Sequence, residues 1–133
     1  MLNSKIGFVF VKIEIMKTIF ILEDETGIRD ALQLLLSFEN YDVRSFSTIR
    51  EFNKRDHSII PDIFILDVRL PDGLGTDVCN ELKSNPTTEN IPVMIISVHA
   101  KSDNVISSCE ADLFVPKPFD IDDVLEKIEK LIA

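Results

Sequence analysis

Three short runs of the chain are apolar almost without interruption: Ile19–Leu22 behind Thr18, Ile63–Leu66, and Val93–Ile96 behind Pro92. A shorter one, Leu113-Phe114-Val115, follows near the C-terminus. Runs of that length, rich in β-branched and aromatic residues and apolar on both faces, predict buried parallel strands. Tyr41 to Phe46 alternates instead, with fewer apolar positions, and predicts a strand nearer an edge. Between the strands the apolar spacing changes to three and four. Ile28, Ala31, Leu32, Leu35 and Leu36 predict a helix over residues 27 to 39, and Val78, Cys79 and Leu82 one over 75 to 84, stopped by Asn85-Pro86. Ser47 or Thr48 can cap a short helix carrying Ile49 and Phe52. A further short helix falls near residues 102 to 109. Asp120 caps the last helix, whose stripe is Ile121, Val124, Leu125, Ile128 and Leu131. Strand and helix alternating five times predict an α/β domain, a five-stranded parallel sheet doubly wound with helices on both faces. Right-handed crossovers then bring strand ends 23–24, 67 and 97 to one rim.

With 133 residues the chain has the size of one domain with one core. Its net charge of −9 speaks against direct contact with nucleic acid or an anionic membrane. The only cysteines, Cys79 and Cys109, lack metal-ligand spacing and read as reduced thiols, which suits the cytoplasm. No apolar run approaches the ~20 residues of a membrane span. Residues 1–15 stand apart. Ile6 to Val11 is apolar, but Lys12 and Glu14 cut it short and no small-residue cleavage site follows. Met16-Lys17 opens directly into the first strand. Residues 1–15 are therefore read as an N-terminal extension, either a non-native start or an added strand suggested by the alternation Lys12-Ile13-Glu14-Ile15, with the domain proper over 16–133. No linker or repeat interrupts it, and the chain ends with the fifth helix, which implies no attached output domain.

The rim is where open α/β sheets carry their ligand sites. Here it gathers Glu23, Asp24 and Asp67. Two carboxylates 4 Å apart repel by about 4 kcal/mol at an effective dielectric of ~20. Such a cluster wants a cation, and hard oxygen ligands suit Mg²⁺. Asp67 is followed by Val68-Arg69-Leu70-Pro71-Asp72-Gly73, where Pro71 and Gly73 are expected to break any strand or helix. Ser97 ends the fourth main strand and Lys117 lies between two prolines. Each has a plainer reading: acids complementing a helix N-terminus, a strand-end serine, a solvated lysine. Five such residues at the ends of four successive parallel strands are far less easily accidental.

Together, the acid pair Glu23-Asp24, the segment Asp67 to Gly73, Ser97 after Ile-Pro-Val-Met-Ile-Ile, and Lys117-Pro118-Phe119 resemble the receiver domain of two-component response regulators, particularly its single-domain, chemotaxis-type members. The likeness covers residues 17 to 133. It implies a flavodoxin-like (βα)5 fold with strand order 2-1-3-4-5. It also implies that Asp67 is the phosphoacceptor, attacking phosphorus of a phosphohistidine donor. Mg²⁺ would be bound by Asp24, Asp67 and the backbone carbonyl of Arg69, with Glu23 acting directly or through water. Lys117 would pair with the phosphoryl oxygens, Ser97 would hydrogen-bond one of them, and Lys117-Pro118 would be cis. Ser97 and Phe114 would be the switch pair, although Phe114 also reads as an ordinary core aromatic. Arg69 and His99, two residues beyond Asp67 and Ser97, would tune attack by water. The implied partners are a sensor histidine kinase or phosphotransfer protein upstream. Downstream, a protein target would dock on the face built from the fourth helix, fifth strand and fifth helix. The only chemistry catalysed would be the protein's own phosphorylation and dephosphorylation. The departures from the family pattern cluster around the fourth helix. It must fit between Ala100 and Glu110, leaving about two turns anchored by Val105, Ile106 and Cys109; Glu110-Ala111 replaces the usual Gly-Ala, and Pro116 precedes Lys117.

Three other readings compete. An aspartate-nucleophile phosphatase of the haloacid dehalogenase type needs a second acid two residues on, where this chain has Arg69. Nucleotide binding is weaker, since Gly73-Leu74-Gly75 lacks the third glycine and does not open a helix after its strand. A degenerate receiver serving as a constitutive protein-binding module remains the other alternative.

Overall fold

The computed structural model describes residues 16–133; the extension over 1–15 lies outside them. The elements are β1 (Thr18–Leu22), α1 (Thr26–Phe38), β2 (Asp42–Phe46), α2 (Ile49–Asn53), β3 (Ile63–Leu66), β4 (Arg69–Leu70), β5 (Gly73–Leu74), α3 (Gly75–Ser84), β6 (Val93–Ser97), α4 (Asp103–Ser108), β7 (Leu113–Pro116) and α5 (Ile121–Ile132). The main sheet runs β2-β1-β3-β6-β7, all parallel. Counting its strands alone, the order is the expected 2-1-3-4-5, the flavodoxin-like arrangement.

The apolar strands serve two cores because side chains alternate across a sheet. Ile19, Ile21, Ile63, Ile65, Met94, Ile96 and Val115 point to the side covered by α1 and α5, against Leu32, Leu36, Val124 and Ile128. Phe20, Leu22, Phe64, Leu66, Val93 and Ile95 point to the other side, against Phe52, Val78, Leu82 and Val105. There Phe20, Phe46, Phe52 and Phe64 meet edge to face at centroid distances of 5.5–6.0 Å, a preferred aromatic geometry. Thr48 caps α2 by accepting from the Glu51 amide, while Ser47 donates its amide and hydroxyl to Glu51.

Three expectations need correction. Pro71 ends one strand as expected, but Gly73 opens another: Pro71-Asp72 is the turn of a small antiparallel hairpin, β4 with β5. That turn is tied down from outside: the Asp72 carboxylate accepts from the Ile49 and Arg50 amides at 2.9 Å. Second, Gly75 does open a helix, as the first residue of α3. Third, α4 has six residues, close to the expected two turns, but of its three expected anchors only Val105 is a buried helical residue. Ile106 is 43% exposed, and Cys109 is buried but already past the helix end. Among the described residues no helix is long and apolar enough to cross a membrane.

Candidate functional site

Leu22 and Leu66 are partners in the β1–β3 register, so Glu23 and Asp67 leave the sheet side by side. The Asp67 amide extends the ladder by donating to the Leu22 carbonyl at 2.9 Å, and the Glu23 amide donates to that of Phe46 at 3.0 Å. Glu23 and Asp67 are both buried, Asp24 half so. One oxygen from each of the three lies within 4.8 Å of the others.

Lys117 enters from the end of β7, placed by its amide's bond to the Ser97 carbonyl (3.1 Å) and followed by a cis bond to Pro118. Its ammonium, only 7% exposed, sits 2.6 Å from Glu23 Oε1 and 2.9 Å from Asp67 Oδ2, with Glu25 Oε1 at 3.8 Å. The other Asp67 oxygen accepts from the Val68 amide at 2.7 Å. Burial pushes the Glu23 carboxyl up to about 7; its bond to Lys117 works against that rise and Asp67 adds to it. For Lys117, burial favours the neutral amine, but hydrogen bonds to Glu23 and Asp67 outweigh it and the net shift is upward.

One ammonium faces three carboxylates, leaving an excess of negative charge in a partly dry corner. An all-oxygen donor set with that excess fits a hard divalent cation such as Mg²⁺, of the kind that receiver domains bind at an acidic pocket.

Ser97 is buried at the end of β6, where its hydroxyl accepts from the His99 amide at 3.2 Å. Phe114 is half-buried against the second core rather than fully within it. Arg69 and His99 are both exposed and line one cavity beside the site, floored by Val68 and Val105.

Two further residues shape the corner without having been singled out in the sequence. Arg29 donates from Nη1 to the carbonyls of Glu23 (2.9 Å) and Asp24 (3.2 Å), which fixes the acidic loop. The signal was available: a cation in the first turns of a helix opposes its dipole and needs a local reason. Gly75 packs so tightly that an added Cβ would stand 1.7 Å from the Asp67 carbonyl oxygen. No spacing rule marks that contact.

Comparison with known proteins bears on this corner. The chain is 30% identical over 119 residues to the response regulator ArlR of Staphylococcus saprophyticus, covering 88% of this chain and 53% of that protein. It is 30% identical over 117 residues to the DNA-binding transcriptional regulator NtrC of Proteus hauseri, covering 86% and 24%. The chain thus spans between a quarter and about half the length of these curated relatives. Among solved structures it resembles the response regulator TrrA of Thermotoga maritima in complex with Mg²⁺-BeF (TM-score 0.75, 30% identity, 87% of this chain and 99% of that one). It also resembles a CheY-like receiver domain protein of Methanospirillum hungatei (TM-score 0.78, 28% identity, 87% and 94%). The model of the response regulator receiver domain matches residues 19–129, and the chain belongs to that family.

Proposed function

We propose that this domain takes a phosphoryl group from a phosphohistidine of a sensor kinase or phosphotransfer protein onto Asp67 and signals by rearranging its α4–β7–α5 face. The observation carrying this reading is the position of Lys117 Nζ, which bridges Glu23 and Asp67 at 2.6 and 2.9 Å. A carboxylate paired that way is oriented yet keeps nucleophilic oxygen, and the ammonium is at hand for negative charge arriving on phosphoryl oxygens.

Glu23, Asp24, Asp67 and the Arg69 carbonyl would hold Mg²⁺, which supplies charge neutralisation for the incoming phosphoryl oxygens. Asp67 attacks phosphorus, the phosphorus–nitrogen bond of the donor breaks, and the imidazole leaves with the bonding pair. Lys117 then exchanges its Asp67 contact for a phosphoryl oxygen, and Ser97 donates its hydroxyl to another. Phe114, only half-buried, follows by turning inward; lacking a hydroxyl, it makes that move by packing alone. The compartment is the cytoplasm, where the donor kinase presents its phosphohistidine. Beyond its own phosphorylation and dephosphorylation the domain catalyses nothing.

The test is to incubate the protein with a small phosphodonor and Mg²⁺ and weigh it intact. One added phosphate, labile to base and hydroxylamine, is expected; none would sink the proposal. Arg69 and His99 crowd the side from which hydrolytic water would approach. Replacing both with alanine should shorten the lifetime of the phosphorylated form several-fold, and an unchanged or longer lifetime would remove them from that role.

A further inference from the structure

At the opposite rim of the sheet, where β3 and β6 begin, a cation stands without a counter-charge. Arg55 follows the C-terminal end of α2 and lays its guanidinium over Phe52, 4.2 Å from the ring centroid. It is half-buried, makes one hydrogen bond, from Nη1 to the Phe52 carbonyl (3.1 Å), and belongs to no ion pair among the described residues. Burial alone moves its pKa, downward, with no neighbouring charge contributing. Asp56 next door forms no ion pair with it; Asp56 Oδ1 accepts from the Ser58 amide and hydroxyl at 3.0 and 2.6 Å instead. Among the described residues no buried side-chain nitrogen or oxygen lacks a partner, so the unused donors of Arg55 are not buried and stay open to an anion.

Two adjoining cavities open there, of about 150 and 50 Å³, both lined by Arg55, His57, Asn85 and Thr88. Asn85 Oδ1 accepts from the amide and hydroxyl of Thr87, which leaves its Nδ2 as a donor. His57 is fixed by its Nε2–H bond to the Asn53 carbonyl, 2.9 Å. The smaller cavity adds an apolar wall of Ile59, Ile60, Pro61 and Phe64. Ile60 is 52% exposed although it neighbours a core phenylalanine. Among the described residues, the acid lining the space is Glu81, at the side of the larger cavity.

We propose that this pocket binds a small free carboxylic acid with a short branched apolar stem. Its carboxylate meets the Arg55 fork and Asn85 Nδ2, and its stem lies on Ile59, Ile60 and Pro61. A planar guanidinium matches a carboxylate through two parallel N–H bonds. The volume, below the ~300 Å³ at which drug-sized sites begin, limits the ligand to a few heavy atoms. The site is independent of the phosphoacceptor corner.

The test titrates 3-methylbutanoate into ¹⁵N-labelled full chain and follows amide shifts, with 3-methylbutanamide and N-acetylleucine as parallel arms. Saturable shifts confined to residues 55–61 and 85–88 are expected with the acid, and at least about tenfold weaker binding with the amide. Arg55→Met should weaken the acid about tenfold. Should that variant fold poorly, Glu81→Gln, which removes only a competing carboxylate, should tighten binding two- to threefold. Non-saturating shifts, equal binding of the amide, or shifts centred on residues 23–24 and 67 would overturn the site. Tighter binding of N-acetylleucine would overturn the free acid in favour of a chain terminus.

Discussion

Two regions invite comparison: the rim corner holding Glu23, Asp67 and Lys117, and the segment beside it formed by the end of β6 and α4. In the first, the buried charges are cross-held by backbone amides, an arginine on the loop carbonyls and a lysine between two carboxylates. In the second, a six-residue helix is attached through Val105, with Val98 65% and Ile106 43% exposed beside it. Buried charges are tolerable only while fully partnered, so a change of charge at Asp67 must be answered locally. A short helix has little intrinsic stability and is ordered mainly by its packing. Rigidity where the charge changes and looseness next to it is the combination a charge-driven switch needs.

The largest break in that contrast should come from Asp67→Asn. Phosphoryl uptake, read by intact mass after incubation with a small phosphodonor and Mg²⁺, should fall to background. The metal-free fold should be as stable as before or more so, because one of three crowded acids is gone. Label retained at a comparable rate would move the acceptor elsewhere.

Gly75→Ala comes next, since it attacks the rigid corner through its backbone. The new methyl would overlap the Asp67 carbonyl oxygen at 1.7 Å, so either the start of α3 or Asp67 itself must shift. A destabilisation of about 2–4 kcal/mol in denaturant melts is expected, with slowed uptake. Gly27→Ala is the matched control, having nothing within 4 Å of the added methyl; in the first turn of α1 it should be neutral or stabilise by up to ~1 kcal/mol. Equal effects at both glycines would mean that the close approach at Asp67 is readily relieved.

A third effect sharpens the electrostatic side. The folded Glu23 carboxyl, pushed up from 4.5 to about 7, binds its proton more tightly than the unfolded chain does. That contribution is complete below pH 4.5 and lost as pH rises through 7, so from this group metal-free stability falls between about pH 4.5 and 7. The amplitude is on the order of 3 kcal/mol. Added Mg²⁺ competes with the same proton, so its affinity should drop as pH falls from 7.5 to 5.5. Melts of wild type and Glu23→Gln in chelator decide it: the variant should lack this component, and a parallel pH slope in both would exclude Glu23 as its source.

How much of this was readable beforehand follows the same division. The five-stranded parallel sheet, its two-sided core and the gathering of Glu23, Asp24, Asp67, Ser97 and Lys117 on one rim follow from apolar runs and alternation, which are properties of neighbouring residues; the strand order was implied only by the resemblance to receiver domains. The hairpin at Arg69–Leu74 was hidden because two-residue strands have no period. What sustains them is Asp72 capping α2 across 22 and 23 positions of sequence. Gly75 against Asp67 and Arg29 on the acidic loop are likewise contacts made only once the chain has closed. The anchors of α4 were overcounted because six residues present too narrow a buried face for both Val105 and Ile106.

The smallest expected effect concerns that helix. Its N-terminus is capped, with Ser102 Oγ accepting from the Val105 amide at 3.2 Å, while Cys109 at its far end is already extended. Local opening of such a segment requires breaking few buried contacts, so its amides should exchange fast in the unmodified protein. If Ser97 and Phe114 follow the phosphoryl group, the space they vacate and fill lies beneath this segment, and α4 must repack. Hydrogen exchange over residues 100–112, measured with and without Mg²⁺ and beryllium fluoride, should therefore slow by a few-fold on addition, while α1 and α3 change less. Slowing confined to residues 23–25 and 67–69 would show an acceptor corner that closes without reaching α4. No change over 100–112 would thus uncouple the two regions and make the α4 face a constitutive binding surface.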